Sequence, residues 1–429
     1  MRSTELPPAL RLYLAFTSRG EGLARVLLRR RLQIGKEDPQ RLGERLGRAS
    51  LARPHGPLAW FHAASVGESL SLLATIEALT RARRDLHVVV TTGTRTSATL
   101  LARRLPRRAL HQFAPLDVGP AVQRFLRHWS PDLAVWTESE LWPRLVHDTS
   151  MRGVPMVLVN ARMTGRSMAR WHQLSSVAEW LLNRFDAVLV QDEVGRAGLV
   201  SLGLESGRAR VTGSLKAAAE PLPLEPAVLA QFRAAVGARP LWLAASTHPG
   251  EEAMAAAAHE RLRKSRPDAL LIVAPRHPDR AEAVAAELAP SGSLPRRSEG
   301  ALPTHDAPIY LADTLGEMGL WYRLAPVAFM GGSTAGIGGH NPYEPAALGA
   351  ALIHGPDVAN FAAIYAALDA GGGALRIADA TGLAEAVWTL WAPPRRGALV
   401  DAARRVVAAE PDARDLVLTE LLARLPPAR

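Results

Sequence analysis

The sequence predicts an α/β protein with two doubly wound parallel-sheet domains that face each other across a cleft. Strand-like apolar runs alternate with helix-like segments, a proline-rich stretch breaks this alternation at residues 217–226, and 429 residues suffice for two ordinary domains. We therefore expect a basic N-terminal segment at residues 1–53, one domain at 54–216, a linker at 217–226 and a second domain at 227–429.

The N-terminal segment is basic and amphipathic. Residues 1–53 carry twelve Lys and Arg against five Asp and Glu, so they hold most of the chain's formal charge of +10. Apolar residues recur at helical spacing between Leu10 and Leu27, but no run is long enough to span a bilayer. Two interpretations stay open: a helix lying on an anionic membrane surface, or a solvated helix packed on the protein. No nucleic-acid-binding motif accompanies the charge, so we expect no nucleic-acid partner.

In the first domain, strand-like runs are followed by polar or glycine-bearing turns. We predict strands at 58–64, 87–92, 133–136, 156–159 and 187–190, and helices at about 69–83 and 96–105. Since parallel strands end at the same edge of a sheet, residues after them are candidates for chemistry. Glu68 begins a helix, where a carboxylate either neutralises the helix N-terminus or acts as a general base. Glu138 follows a buried strand, and Lys216 precedes the linker as a catalytic or simply solvated lysine.

The second domain repeats the pattern and ends one strand with a glycine-rich segment. We predict its strands at 241–245, 269–273, 309–311, 327–330 and 351–353. Arg276 and His277 follow a strand and are suited to neutralising a phosphate. The glycines from Gly331 to Gly339 leave backbone N–H groups open to an anion, while Asn341 and Glu344 offer directional hydrogen bonds. This predicts a nucleotide-sugar site; the alternative is a tight turn that only packs a helix on the sheet.

Several catalytic motifs are missing from the sequence. It contains no Asp-x-Asp pair, no His-Glu-x-x-His, no Gly-x-Ser-x-Gly elbow, no Walker loop and no cysteine. We therefore expect a metal-independent transferase that needs no cofactor and handles a leaving phosphate with basic residues. A non-enzymatic basic protein that binds a membrane surface or RNA is the competing class.

The motifs together resemble one family, the 3-deoxy-D-manno-octulosonic acid (Kdo) transferases of lipopolysaccharide biosynthesis. The resemblance covers nearly the whole chain and rests on Trp60–Glu68, Thr137–Pro143, Asn160–Met163, Ser246–Glu252, Pro275–Pro278 and Gly338–Pro345. It implies a GT-B fold of two Rossmann-like domains and inverting transfer of Kdo from CMP-Kdo to the lipid A precursor, lipid IVA. It also implies the cytoplasmic face of the bacterial inner membrane, where the interrupted N-terminal segment predicts peripheral attachment.

The resemblance also implies roles for individual residues. Glu68 matches the family's general base, and Glu138 and Lys216 match residues that support the transition state. The expected CMP-sugar contacts, including the start of the glycine segment, are Arg276, His277, Leu315, Gly316, Glu317, Gly331, Gly332, Ser333, Asn341, Pro342, Tyr343 and Glu344. Another metal-independent GT-B enzyme, either a transferase with a different nucleotide-sugar donor or a sugar-nucleotide epimerase, is the alternative.

Overall fold

The computed structural model describes residues 5–163, 165–215, 222, 224–410 and 412–427. The chain divides into two compact units, the first of residues 1–219 with 411–429 and the second of residues 220–410. The crossing from the first unit to the second falls within the predicted linker. The chain then returns, so the predicted second domain of 227–429 differs from the structure at its C-terminal end.

The first unit alternates strands and helices after three N-terminal helices. In chain order its elements are α1 (Pro8–Ser18), α2 (Glu21–Gln33), α3 (Leu42–Arg45), β1 (Leu58–His62), α4 (Val66–Ala82), β2 (His87–Thr92), α5 (Arg95–Arg104), β3 (Ala109–Phe113), α6 (Gly119–Trp129), β4 (Leu133–Thr137), α7 (Pro143–Ser150), β5 (Met156–Ala161), α8 (Gly165–His172), α9 (Ser175–Leu182), β6 (Ala187–Val190), α10 (Glu193–Ser201) and β7 (Ala209–Val211).

The strands of the first unit form a parallel sheet in the order β3-β2-β1-β4-β5-β6-β7. Side chains of β1 alternate between two cores. Trp60 packs in a cluster with α1, α6 and α9, whereas Phe61 packs in a cluster with α4 on the other face. Because both faces are covered, all five residues of β1 are buried, which explains its apolar sequence from Leu58 to Phe61.

The second unit has the same layered plan. Its elements are α11 (Pro226–Val236), β8 (Leu241–Thr247), α12 (Glu251–Arg263), β9 (Leu270–Pro275), α13 (Ala281–Leu288), β10 (Ile309–Leu311), α14 (Met318–Leu324), β11 (Val327–Met330), α15 (Tyr343–Leu348), β12 (Ala351–His354), α16 (Ala362–Ala370), β13 (Ala374–Arg376), α17 (Ala380–Trp391) and α18 (Pro393–Ala408). Its strands are parallel in the order β10-β9-β8-β11-β12-β13. The prediction of two doubly wound α/β domains is confirmed.

The last helix, α19 (Ala413–Leu422), belongs to the first unit. Its Val417 and Leu421 are fully buried in the same cluster as Ile76 of α4. Arg83 at the end of α4 also donates a hydrogen bond to the carbonyl of Pro426 at 2.8 Å. Burial of this apolar face against α4 explains why the chain returns, and no local sequence pattern announces it.

The N-terminal helices α1 and α2 pack on the first unit through one face only. Leu10 and Leu14 of α1, and Ala24 and Leu28 of α2, are buried, and the helices contact α6 and α7. The interpretation of a helix packed on the protein is confirmed for the inner face, and the interpretation of a membrane-surface helix stays a prediction for the outward face.

Candidate active site

The functional edge of the first sheet is the edge at which the neighbouring strands β1, β4 and β5 end. Their last residues are His62, Thr137 and Ala161. Glu138 and Asn160 at this edge have positive φ angles of 52° and 53°. That backbone conformation costs a non-glycine residue about 1–3 kcal/mol and is concentrated at functional sites. The strain marks this edge as the place to look for chemistry.

Glu68 lies at this edge in the first turn of α4, and only 8% of its surface is exposed. Its carboxylate accepts hydrogen bonds from the Ser65 hydroxyl at 2.7 Å, the Ala64 N–H at 2.9 Å and the Thr137 hydroxyl at 3.0 Å. Ser65 Oγ in turn accepts the Glu68 N–H at 3.3 Å, as the side chain of an N-cap serine does at a helix start. The structure thus gives Glu68 the helix-start role that the sequence allowed.

The same surroundings make Glu68 a stronger base than an ordinary glutamate. Burial raises the pKa of Glu68, the negative charges of Glu138 and Glu140 raise it further, and the hydrogen bonds from Ser65 and Ala64 only partly oppose this. Among the residues that the structure describes, Ser65 alone donates a hydrogen bond to Oε1, so this oxygen retains a lone pair for an incoming proton. Capping the helix and accepting a proton are therefore compatible roles of one carboxylate.

Glu140 contributes a fixed negative charge near Glu68. Burial opposes its ionisation, but the neighbouring His62 and the indole N–H of Trp142, at 2.7 Å, outweigh burial and lower the pKa of Glu140. Nε2 of His62 lies 3.8 Å from Glu140 and has no hydrogen-bond partner among the described residues. Nδ1 of His62 lies 2.9 Å from the hydroxyl oxygen of Thr91. This hydroxyl has one proton, and the alternative acceptor for that proton, the Phe61 carbonyl, lies farther away at 3.4 Å. The shorter bond favours the tautomer with its proton on Nε2, facing Glu140.

Asn160 also lies at this edge, and in the sequence it stood out only as part of the Asn160–Met163 motif. Its Oδ1 accepts the Leu215 N–H at 3.1 Å and so ties the end of β5 to the segment just before Lys216. Its Nδ2 is buried without a hydrogen-bond partner among the described residues. Lys216 itself lies outside the described residues. The available signal was the residue type, since asparagine is enriched in the left-handed conformation.

In the second unit, one buried glutamate organises the glycine segment. Glu251 accepts hydrogen bonds from the N–H groups of Gly332 at 2.7 Å and Thr334 at 3.0 Å, and from the Thr334 hydroxyl at 2.9 Å. It also accepts the His248 N–H at 3.0 Å, so it joins the loops that follow β8 and β11. The sequence predicted backbone N–H groups that are open to an anion. In the structure the N–H groups of Gly332 and Thr334 are not open, because the Glu251 carboxylate already accepts them.

Gly331 and Ser333 hold the same loop in place. A side chain at Gly331 would meet the carbonyl oxygen of Ser246 at 2.4 Å, so glycine allows β8 and the loop to approach. Ser333 is fully buried, donates to the Met330 carbonyl at 2.5 Å and accepts the Gly355 N–H at 2.8 Å. Gly331 and Ser333 therefore both fix the shape of this loop.

Three histidines meet beside this loop. Nε2 of His248 lies 2.9 Å from Nε2 of His340, and the two rings stack with their centroids 5.1 Å apart. The ring of His277 lies 5.9 Å from that of His248. Burial, then the neighbouring His248 and Arg276, lower the pKa of His340 to about 3. At neutral pH the His248–His340 contact is consequently a hydrogen bond between neutral rings.

Four of the predicted donor-binding residues are exposed at this end of the second unit. Arg276 and His277 follow β9, and the side chain of Arg276 forms no ion pair with any residue that the structure describes. Leu315 is 60% exposed and precedes Gly316, whose φ of 86° requires glycine. A guanidinium with open donors is the chemistry that a phosphate needs.

Other predicted donor-binding residues are engaged within the protein. Glu317 is bound by Arg297 at 2.6 Å and by the Thr314 hydroxyl; burial opposes ionisation, but these bonds outweigh it and lower the pKa of Glu317. Asn341 Oδ1 accepts the Tyr343 N–H at 3.0 Å at the start of α15. The rest of the set comprises Pro342 and Tyr343, which are buried, and Glu344, which is half-buried. Across the described parts of the chain, no three His, Asp or Glu side chains are grouped to hold a metal ion.

The chain matches known proteins over most of its length. A family model described as 3-deoxy-D-manno-octulosonic-acid transferase (kdotransferase) matches residues 40–219. A 3-deoxy-D-manno-octulosonic acid transferase from Bordetella pertussis is 38% identical over 381 residues, covering 85% of this chain and 87% of that protein. A probable mitochondrial 3-deoxy-D-manno-octulosonic acid transferase from Arabidopsis thaliana is 34% identical over 366 residues, covering 83% and 82%.

Solved structures agree on the fold. The UDP-GlcNAc 2-epimerase from Neisseria meningitidis, bound to UDP-GlcNAc, has a TM-score of 0.59 and 12% identity, and the match covers 86% of this chain and all of that one. This likeness confirms the GT-B fold class, and the identities above settle the family. One sheet has at its edge a buried glutamate with a raised pKa, and the other has an exposed arginine at its edge. The chain belongs to the 3-deoxy-D-manno-octulosonic acid transferase family.

Proposed function

We propose that this chain transfers Kdo from CMP-Kdo to the lipid A precursor lipid IVA, with inversion at the anomeric carbon, in lipopolysaccharide biosynthesis. Family membership supports the donor and acceptor classes. The observation that carries the chemistry is Glu68, a buried carboxylate at a strand end whose pKa is raised by burial and by Glu138 and Glu140. Such a group is suited to taking a proton from an acceptor hydroxyl as it reacts.

The proposed reaction is a single displacement. The acceptor hydroxyl oxygen attacks the anomeric carbon of Kdo on the face opposite to CMP, and Glu68 accepts the hydroxyl proton. The bond from the anomeric carbon to the phosphate oxygen breaks, and its electron pair leaves with CMP. Arg276 and His277 neutralise the phosphate by charge-assisted hydrogen bonds. Glu138 and Lys216 support the charge of the transition state.

Binding of the nucleotide is assigned to the loops after β9, β10 and β11. Leu315 and Gly316 offer an exposed surface to the base, and Asn341 and Glu344 offer hydrogen bonds to the ribose. Gly331, Gly332 and Ser333 act by shaping the loop, because Glu251 and neighbouring backbone groups already occupy much of their hydrogen-bonding capacity. The buried Pro342 and Tyr343 fix the start of α15 beneath that surface.

Donor consumption tests this proposal. The purified chain is incubated with CMP-Kdo, UDP-GlcNAc or UDP-glucose, each with and without lipid IVA, and nucleotide release is measured. We expect release of CMP from CMP-Kdo only when lipid IVA is present. Turnover of a UDP-sugar instead would favour the alternative, another metal-independent GT-B transferase or epimerase, to which the fold of the UDP-GlcNAc 2-epimerase lends support.

Attachment of the chain to the cytoplasmic face of the inner membrane is also proposed, through the outward face of α1 and α2. Leu12 and Phe16 are 73% and 65% exposed, one helical turn apart, and Leu23 and Val26 of α2 are exposed as well. The guanidinium groups of Arg11, Arg29 and Arg30 border these side chains and form no ion pair with described residues. Apolar side chains beside unpaired cations fit an anionic bilayer surface. No described helix is long and apolar enough to cross a bilayer.

Flotation with vesicles of phosphatidylcholine, with or without phosphatidylglycerol, tests the attachment. We expect the double variant Leu12→Gln/Phe16→Gln to float far less than the unmodified chain. The matched control is Met151→Gln/Val194→Gln, which removes two apolar residues that are 69% and 82% exposed elsewhere on the same unit. Equal flotation of the two double variants would contradict the assignment of the surface to α1 and α2.

A further inference from the structure

The second unit contains a cavity at the edge of its sheet opposite to the proposed donor site. The cavity has a volume of about 500 Å³ and is lined by residues that precede strands, among them Leu241 at the start of β8 and Pro326 before β11. Arg276 and the glycine segment follow strand ends. Since β8 is seven residues long, the two edges are about 20 Å apart. The cavity is thus separate from the donor site within one unit.

Four arginines line this cavity and no carboxylate does: Arg233, Arg239, Arg266 and Arg396. Arg266 is the one with a paired acid, because it binds Asp268 at 3.1 Å just outside the lining. The other three form no ion pair with a described carboxylate, although the charges of Asp268 and Asp306 act on Arg239 from outside the lining. A volume of this size and a cluster of guanidinium groups are both typical of sites for anionic small molecules.

The arginines divide into a fixed pair and a pair with open donors. Arg239 donates to the carbonyls of Asp268 and Ala307 at 2.7 and 2.6 Å, which holds its charge in place at the wall. Arg233 is exposed and its side chain forms no hydrogen bond or ion pair with a described residue, and Arg396 uses one nitrogen for two long backbone bonds of 3.3 and 3.4 Å. Arg233 and Arg396 are accordingly the groups that a ligand would engage.

The remaining wall is apolar. Trp391 is half-buried and its indole N–H donates to the Leu241 carbonyl at 3.3 Å, which fixes the ring in the wall. Leu324, Pro240 and Pro326 continue this surface. A fixed aromatic ring beside unpaired guanidinium groups suits a ligand with a phosphate and an apolar or ring-bearing body.

We propose that this cavity is a second anion site, which binds phosphomonoester or diphosphate groups independently of the donor. The charge arrangement recognises the phosphate, carried either by a soluble metabolite or by a lipid headgroup. The site goes beyond the transfer reaction, since none of its residues belongs to the proposed catalytic or donor-binding set. Binding there is dominated by charge and weakens as salt concentration rises.

Calorimetric titration of the full chain with inorganic pyrophosphate at low salt tests the site. The variant Arg233→Gln/Arg396→Gln removes the two open guanidinium groups. As a matched control, Arg261→Gln/Arg405→Gln removes two exposed arginines of α12 and α18 that do not line the cavity. Loss of two charge-assisted hydrogen bonds predicts binding weaker by about tenfold or more in the first variant. The control variant is expected to bind as the unmodified chain does.

Two further arms complete the test. Arg276→Gln, which alters the donor end, should leave pyrophosphate binding in place; if it abolishes all binding, pyrophosphate binds only at the donor site and the proposal is overturned. Equal affinity of Arg233→Gln/Arg396→Gln and the control overturns it as well, provided that both variants retain the unmodified unfolding transition. Vesicles containing phosphatidic acid then show whether the phosphate is carried by a lipid headgroup or by a soluble metabolite. If it is a headgroup, Arg233→Gln/Arg396→Gln should lose vesicle binding, and pyrophosphate should displace the vesicles from the unmodified chain. If it is a soluble metabolite, the two double variants should bind vesicles equally.

Discussion

Replacement of Glu68 by glutamine separates its two roles, because glutamine preserves the shape and removes the base. The amide oxygen of glutamine can still accept the Ala64 N–H and the Thr137 hydroxyl, and its NH₂ group can donate to Ser65 Oγ in place of Oε1. The capping interactions at the start of α4 are thus retained. What disappears is the only group at this position that can take a proton from the acceptor.

The expected loss of turnover follows from the contribution that a positioned general base makes to a reaction rate. General-base catalysis contributes roughly 10²–10⁴-fold to a rate. We therefore expect turnover of Glu68→Gln to fall by that factor, which corresponds to about 2.7–5.4 kcal/mol of barrier. Initial rates of CMP-Kdo consumption with lipid IVA measure turnover, and equilibrium binding of CMP-Kdo should be unchanged because the donor residues belong to the second unit.

Ser65→Ala is the matched control. It removes the cap from α4 at a cost of about 1 kcal/mol in stability, but it leaves the Glu68 carboxylate in place. We expect it to lower the unfolding temperature and to affect turnover far less than Glu68→Gln does. Near-normal turnover of Glu68→Gln, or equal losses in the two variants, would refute the argument that Glu68 acts as the base.

Three further predictions concern the residues around the two sheet edges. Glu140→Gln removes a negative charge that raises the pKa of Glu68, so the acid limb of the kcat/KM pH profile should move to lower pH; an unmoved limb would count against this coupling. Glu251→Gln leaves at least one buried N–H of the glycine segment unpaired, at about 1–3 kcal/mol per group, and urea unfolding should show this loss while the exposed Glu260→Gln on the same helix shows none. Gly331→Ala places a side chain 2.4 Å from a backbone oxygen and should destabilise the second unit, whereas Gly397→Ala, in open space within α18, should stabilise it by about 0.4–1 kcal/mol; the reverse order of melting temperatures would show that the close approach is not limiting.

The raised pKa of Glu68 should also make the free energy of unfolding depend on pH. Burial and the charges of Glu138 and Glu140 raise the pKa of Glu68 above its ordinary 4.5, so folding favours the protonated form. Its stabilising contribution is fully present below about pH 4.5 and is lost as pH rises through the raised pKa. The difference in unfolding free energy between Glu68→Gln and the unmodified chain should therefore shift in favour of glutamine as pH rises, and a constant difference would contradict the raised pKa.

Buried strands of largely apolar sequence were predictable, and polar or partly exposed strands were not. Strands β2, β6, β10 and β11 were located within a residue because burial on both faces demands apolar side chains. Strand β3 was missed since it contains His111 and Gln112, which are buried but hydrogen-bonded to neighbouring side chains. Strands β7 and β13 were missed because each carries a basic, exposed residue at a sheet edge, whereas the equally short edge strand β10 is fully buried.

Charged residues of the candidate site that follow a buried strand were predictable. Residues that hold loops in place through contacts distant in sequence were not. Glu68 and Arg276 stood out because charged groups after buried strands are conspicuous. Glu251 and Asn160 organise loops through long-range hydrogen bonds to Gly332 and Leu215, and no local pattern reveals such partners. The return of α19 was missed for the same reason, since its apolar face is matched only by α4 in three dimensions.

Mass spectrometry of lipid IVA after incubation with the chain and CMP-Kdo tests the central claim most directly. The account predicts a lipid that has gained Kdo with the unmodified chain, and an unchanged lipid with Glu68→Gln at equal protein concentration. Unmodified lipid in both reactions, with intact CMP-Kdo and a folded chain, would contradict it.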